Sequence, residues 1–557
     1  MSRSLRAGLF GACVSCLLLT ALAGCAGGRR APPPSTDIDE DMLRADIRVL
    51  ASDDFEGRLP GTAGEDKTVA FVTARLRKLG LKPGNGDSFV QPVPVVELRP
   101  SADPTASISG HGTTRPLVYQ QDMMLWSKRL DAEVSVAHSE LVFVGFGIVA
   151  PEYGWNDYAG LDVHGKTVVV LVGDPGSAGG DPKLFNGHTM TSYGRGSYKI
   201  EEAAREGASA VLLIHDPVAT GLPWQVIVND GTTPRLQLAS ADPNAAPASA
   251  IEGWLSKPAA QRLFTQAGAD FSALVAAAAK PGFKPVLLPL ALDAQVFHSM
   301  RRFNSANVVA LLPGEKRRRE YIVYSAHWDH LGRASSAGNP VYNGAVDNAT
   351  GVAGLLALAQ SFHRTQPQPD RTIVFLAFTG EESDRIGSRY YAQHPLFPLE
   401  DTVADINLDA LQVGGPTRDV TVVGFGQSDL DGYVRDMAAL QGRELHADPH
   451  PELGGYYRSD DFSFAQVGVP AMVAFGGTDD SARGPAFGQA QLDDYYAHRF
   501  HQTSDQYSDS WDLRGMVADL TLYYRVGLRL AQTRRFPRWS AKSEFRAIRE
   551  SSRESID

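Results

Sequence analysis

The stretch YIVYSAHWDHLG, residues 321–332, sets the reading of the chain. Ile322, Val323 and Tyr324 make a β-branched and aromatic run of the buried-strand type, and it leads straight into His327, Asp329 and His330. A strand that ends in His-x-Asp is either a surface turn or one corner of a metal site. From about residue 300 onward, strand-like and helix-like runs alternate. NVVALLPG, YIVYSAH, RTIVFLAFTG, VADINLDA, VTVVGFG and VPAMVAF read as strands. ATGVAGLLALAQSFHR, the regions around 384–394 and 428–441, and LRGMVADLTLYYRVGLRLAQ read as helices. Runs apolar on both faces that alternate with helices predict an α/β fold, a mostly parallel but mixed sheet sandwiched by helices.

Ligands on such sheets gather at the carboxyl ends of the strands. RTIVFLAFTG runs into Glu381 and Glu382, and VADINLD ends in Asp409. Asp347 sits in the Gly-Ala-rich turn NGAVDNATG, and FHQTSDQYSD places His501 in a loop. A single strand-end His or Asp is more often a turn or cap residue, and an isolated Glu-Glu pair is usually solvated. The agreement of several separate strand ends is what points to metal. Two imidazoles and three carboxylates exceed what one tetrahedral zinc takes. They suit two divalent ions sharing a carboxylate, with one carboxylate to spare.

The motifs SAHWDHLG, GAVDNATG, TGEES, INLDA and FHQTSD occur in this order over residues 325–505. Together they resemble the dinuclear-zinc aminopeptidases related to bacterial leucyl aminopeptidase. That family includes glutamate carboxypeptidase and the metal-free ectodomain of the transferrin receptor. The stretch 56–84 resembles the N-terminal helices of the same catalytic domain, and the region 95–295, rich in short β runs, Gly and Pro, resembles the protease-associated insert of a subset.

The resemblance implies two Zn2+ per chain, one held by His327 and Asp409, the other by Glu382 and His501, with Asp347 bridging. It implies Glu381 as general base and Asp329 as the carboxylate orienting His327. A hydroxide bridging the two ions would attack the scissile carbonyl of a peptide substrate. It also implies a cis peptide after Asp347. Aminopeptidase action is the leading expectation. A carboxypeptidase or dipeptidase on the same metal core, or a metal-free binding protein, are the alternatives. Two departures stand out. Phe500 replaces a Tyr that several members carry before the last ligand, and Asp460-Asp461 stands where relatives have Asp-His. Tyr456 and Tyr457 are the candidates to supply an oxyanion or substrate contact instead.

Organisation follows from composition. Residues 1–24 read as a signal segment, with Arg3 and Arg6 before an apolar run from Leu9 to Leu22, and LAGC resembles a bacterial lipobox that would lipidate Cys25. That implies a lipid-anchored protein of a Gram-negative-type cell envelope, at the outer membrane or facing the periplasm. All three cysteines, Cys13, Cys16 and Cys25, lie in or at the end of this segment, so the mature chain forms no disulfide. Residues 25–40 read as a Gly/Pro linker, 41–94 as N-terminal helices of the catalytic domain, and 95–295 as the insert. Residues 296–535 read as the zinc-peptidase domain and 536–557 as a loose polar tail. The formal charge is −11, and loss of two arginines with residues 1–24 takes it to −13. Without a basic stripe, this argues against a nucleic-acid partner.

Overall fold

In the computed structural model, residues 38–554 are described except 180, 182, 240–247 and 335–337. The signal segment, Cys25 and most of the linker therefore lie outside the described residues. Among those described, no helix is long and apolar enough to cross a membrane.

Seven strands build the sheet that carries the site. Glu444–Ala447, Asp419–Val423, Ala471–Gly476, Thr402–Asn407, Arg317–His327, Arg371–Phe378 and Val286–Leu312 lie side by side in that order. The central pairings are parallel. Antiparallel pairing enters where Arg371–Phe378 meets Val286–Leu312 and where Asp419–Val423 meets Ala471–Gly476. The period of two shows in the packing. Ile322, Tyr324, Ile373 and Phe375 join the core with residues of the helices Glu40–Leu50, Gly351–Arg364 and Arg514–Gln532. Val323, Val374, Leu376 and Phe378 face a second cluster with Tyr391 and Phe464. The sheet is thus covered on both faces. Asp39 caps the first of these helices by accepting the Met42 N–H, and Leu43, Ile47 and Leu50 form its buried stripe.

The segment 95–295, expected as an insert, is joined to this sheet. Val90–Gly110 and Val286–Leu312 pair antiparallel from Val90↔Val308 to Ala291↔Ser109, so the two ends of the segment meet in one ribbon. Both strands run through positions 95 and 295, and the hydrogen-bonded sheet crosses those boundaries without a break. Beyond the ribbon it continues through Glu133–Phe143, Thr167–Leu171, Ala210–His215 and Ile251–Ser256, all mutually parallel. These strands contribute to apolar clusters of their own.

The C-terminal residues depart from the expected loose polar tail. Trp539 and Phe545 are buried with Tyr456, Tyr457 and Phe462, and Trp539 donates its indole N–H to the Gly468 carbonyl at 2.8 Å. Arg546–Glu554 is a helix, and Arg549 donates to the carbonyls of Leu399 and Thr402. Two aromatics and one arginine anchor a stretch that is otherwise charged.

Candidate metal centre

Strand register assembles the site. His327 pairs opposite Phe378 and Ser325 opposite Asn407, so the chain leaves three adjacent parallel strands at one level. Glu381 and Glu382 follow the first neighbour by three and four residues, and Asp409 follows the other by two. Asp347 comes from the turn Ala345–Thr350, whose Asp347–Asn348 peptide is cis. His501 comes from the loop after the helix Pro485–His498.

Five of the side chains picked out in the sequence converge. His327 Nε2 lies 3.2 Å from Asp347 Oδ1 and 3.2 Å from Asp409 Oδ1. His501 Nε2 lies 2.9 Å from Glu382 Oε2 and 3.4 Å from Asp347 Oδ2. Asp347 thus turns one oxygen to each imidazole. Glu381 joins the group through donor atoms of His327, Glu381 and Glu382 that lie within 4.8 Å of one another. Asp329 sits behind His327. Its carbonyl is 3.2 Å and its carboxylate 3.7 Å from Nδ1, and Oδ1 also accepts the Glu381 N–H at 3.0 Å.

The electrostatics call for positive charge. Burial would raise the carboxyls of Asp347 and Glu382, but the facing imidazoles outweigh it, holding Asp347 well below the usual range and Glu382 at about 2. Burial would lower His327 and His501, yet the carboxylates around them push both well up. Burial, opposed by His327 and reinforced by Glu382, Asp409 and Asp460, drives Glu381 well above the ordinary carboxylate range. Anions packed this closely are stable only beside cations. A donor set of two imidazoles and several carboxylates fits divalent zinc, and the shared Asp347 fits two ions.

Several supporting residues escaped the sequence. Asp505 accepts the backbone N–H groups of Val346 and Asp347 at 3.0–3.1 Å, and only its place in FHQTSD could have singled it out. The buried Arg58 donates to the carbonyls of Trp328, Leu50, Asn343 and Gly344 at 2.6–2.8 Å, tying together the segments that carry His327 and Asp347. His330 is fully buried with Nδ1 2.5 Å from Glu382 Oε1. His446, His450 and His498 are exposed. From the insert, Asp230 reaches His501 Nδ1 at 2.6 Å.

Tyr457 lines the cleft below, and Tyr456 is packed away from it. The Tyr457 hydroxyl donates to the Met190 carbonyl at 3.3 Å and lies 3.4 Å from Glu544. Tyr456 is held in the aromatic cluster with Trp539 and Phe545. Phe500 stacks on the His501 imidazole, with centroids 4.0 Å apart.

The centre opens into a cleft of about 2200 Å³ lined by both the insert and the catalytic portion, well above the roughly 300–1,000 Å³ of a small-molecule pocket. The segment 221–230 lines it through Gly221, Leu222, Pro223, Ile227 and Asp230. Trp224 turns its indole N–H to the Gln120 carbonyl at 2.7 Å.

Known proteins resemble parts of this chain. A probable zinc metalloprotease of Pyrenophora teres is 39% identical over 111 residues, 19% of this chain and 22% of that protein. A vacuolar membrane protease of Lachancea thermotolerans is 32% identical over 113 residues, 20% of this chain and 10% of that one. The chain thus spans about a tenth to a quarter of the length of these curated relatives. Among solved structures, the aminopeptidase of Aneurinibacillus sp. strain AM-1 aligns over 89% of this chain and 93% of its own at 19% identity and a TM-score of 0.48. The model of peptidase family M28 matches residues 307–525. That segment, which carries His327, Asp347, Glu381, Glu382, Asp409 and His501, is similar to peptidase family M28.

Proposed function

We propose that the protein is a zinc-dependent exopeptidase, foremost an aminopeptidase that removes N-terminal residues from peptides. One observation carries the reading: Asp347 presents separate oxygens to two half-sites, His327 with Asp409 and His501 with Glu382. These residues would hold two zinc ions, which supply Lewis acidity and a water of lowered pKa when bound. Glu381, beside His327 and Glu382, would take a proton from the attacking water and deliver it to the departing amine. Asp329 fixes the Glu381 backbone through its N–H and stands behind His327. The matched motifs and the metalloprotease named among the relatives support this reading.

A second reading, cleavage beside a free carboxylate as in a carboxypeptidase or dipeptidase, is favoured by Arg195. This insert residue lines the same cleft as Glu381, and a guanidinium there matches a carboxylate. A panel of zinc-loaded assays separates the two. Amino-acid anilides turned over and N-blocked peptides refused would support the aminopeptidase. The reverse pattern would support the alternative, and inactivity on both would defeat the peptidase reading. The insert roofs the cleft, with Arg458 donating to the Thr220 carbonyl and the Met190 N–H to the Pro451 carbonyl. We expect it to restrict substrates to short or unfolded peptides. Equal efficiency on a dipeptide anilide and on the N-terminus of a folded protein would defeat that restriction. The signal segment and Cys25 motif support a lipid-anchored place in the cell envelope. Palmitate labelling lost in Cys25→Ser would support it, and labelling that persists would exclude it.

A further inference from the structure

Half of the metal centre has a partner outside the M28 segment. The helix Trp224–Thr232 of the insert holds His501 at two points. Asp230 Oδ1 lies 2.6 Å from the imidazole Nδ1, and Asn229 Nδ2 donates to the His501 carbonyl at 2.7 Å. His501 itself adopts a left-handed backbone with φ of 54°. Phe500 stacks on its ring at an interplanar angle of 18°. Phe500 therefore restrains the ring plane, and the Asp230 carboxylate restrains its rotation within that plane. With Nδ1–H donating to Asp230, the lone pair of Nε2 faces Glu382 and Asp347. The other half is built differently. His327 finds its support on its own loop, from the Asp329 carbonyl at 3.2 Å and carboxylate at 3.7 Å.

We propose that Asp230 is the positioning residue for His501. The insert is then part of the metal centre as well as a wall of the cleft, and the docking of Trp224–Thr232 sets the zinc affinity of the Glu382–His501 half-site. This rests on the two-zinc reading above. Carboxylates that orient a ligating imidazole typically contribute 10–100-fold to metal affinity.

The test uses the full chain with Asp230 intact, Asp230→Asn and Asp230→Ala. Zinc is titrated into apo-protein against a chromophoric chelator, and cobalt is bound separately for its visible spectrum. The expected result is that one of two zinc affinities falls about 10–100-fold in Asp230→Ala and less in Asp230→Asn, which keeps the hydrogen bond without the charge. The other affinity should stay put, and the cobalt bands of the affected site should shift. Two zinc ions bound by Asp230→Ala with both affinities within about twofold of wild type would overturn the assignment and leave the two-zinc reading intact. A loss of affinity matched by an equal loss of apo-protein stability, with an unchanged cobalt spectrum, would also overturn it, because Asp230 would then only hold its helix. Wild-type protein that binds a single zinc would defeat the reading on which the proposal rests.

Discussion

Arg58→Met is the most informative perturbation of the scaffold. The guanidinium is completely buried and donates four hydrogen bonds, to the carbonyls of Trp328, Leu50, Asn343 and Gly344. A hydrogen bond with one charged partner contributes roughly 1.5–3 kcal/mol, so the four outweigh the cost of burial. Burial lowers the Arg58 pKa from 12.5 to about 10, against the pull of Asp347 and Asp329. Methionine fills the stem but leaves the carbonyls of Trp328, Leu50 and Asn343 without that donor, while Gly344 keeps the Ala349 N–H. The expected loss of stability is about 3–5 kcal/mol, the range for removing one side of a buried charged interaction. Because three of the carbonyls, those of Trp328, Asn343 and Gly344, belong to the segments that carry His327 and Asp347, zinc affinity should fall along with stability. Urea unfolding followed by fluorescence, run beside a zinc titration, measures both. A loss below about 1 kcal/mol with unchanged zinc affinity would refute the argument that Arg58 ties the ligand segments together.

Glu381→Gln should retain its zinc yet lose roughly 10²–10⁴-fold in kcat; a loss below about tenfold would remove Glu381 from the role of base. Trp539→Ala should cost about 3–5 kcal/mol, because Trp539 is buried against Phe545 and bonded to Gly468. A melting curve unchanged by removal of residues 536–557 would contradict that anchoring. His215 is kept below its ordinary pKa by burial, against the opposing bond to the Leu222 carbonyl. In the window below the unfolded value of about 6.5 the unfolded chain binds more protons than the folded one, so this stability is present at higher pH and drains as pH falls. His215→Asn should therefore lose less stability than wild type between about pH 7 and pH 5, and parallel pH profiles would refute it.

The parts of the molecule that were legible in the sequence are those with periodic or convergent signals. Strands apolar on both faces give the covered sheet, and acids at successive strand ends give the donor set, since parallel register carries three strand ends to one level. What stayed hidden depends on contacts between distant segments. Asp230 lies 271 residues from His501, and an aspartate near the end of a short helix resembles any turn residue. Arg58 looks like an ordinary loop arginine until its four carbonyl partners close around it. Trp539 and Phe545 stand among charges without a period. The burial of the C-terminal segment was therefore missed, and with it the packing of Tyr456 against Phe545.

The central claim, a peptidase whose centre holds two zinc ions across Asp347, is tested most directly by zinc titration of the apo-protein with elemental analysis and anilide turnover read on the same samples. The account predicts two zinc ions per chain at saturation, turnover that rises as they bind, and loss of both sites in Asp347→Asn. Saturation at one zinc with full turnover, or full turnover in the metal-free protein, would contradict it.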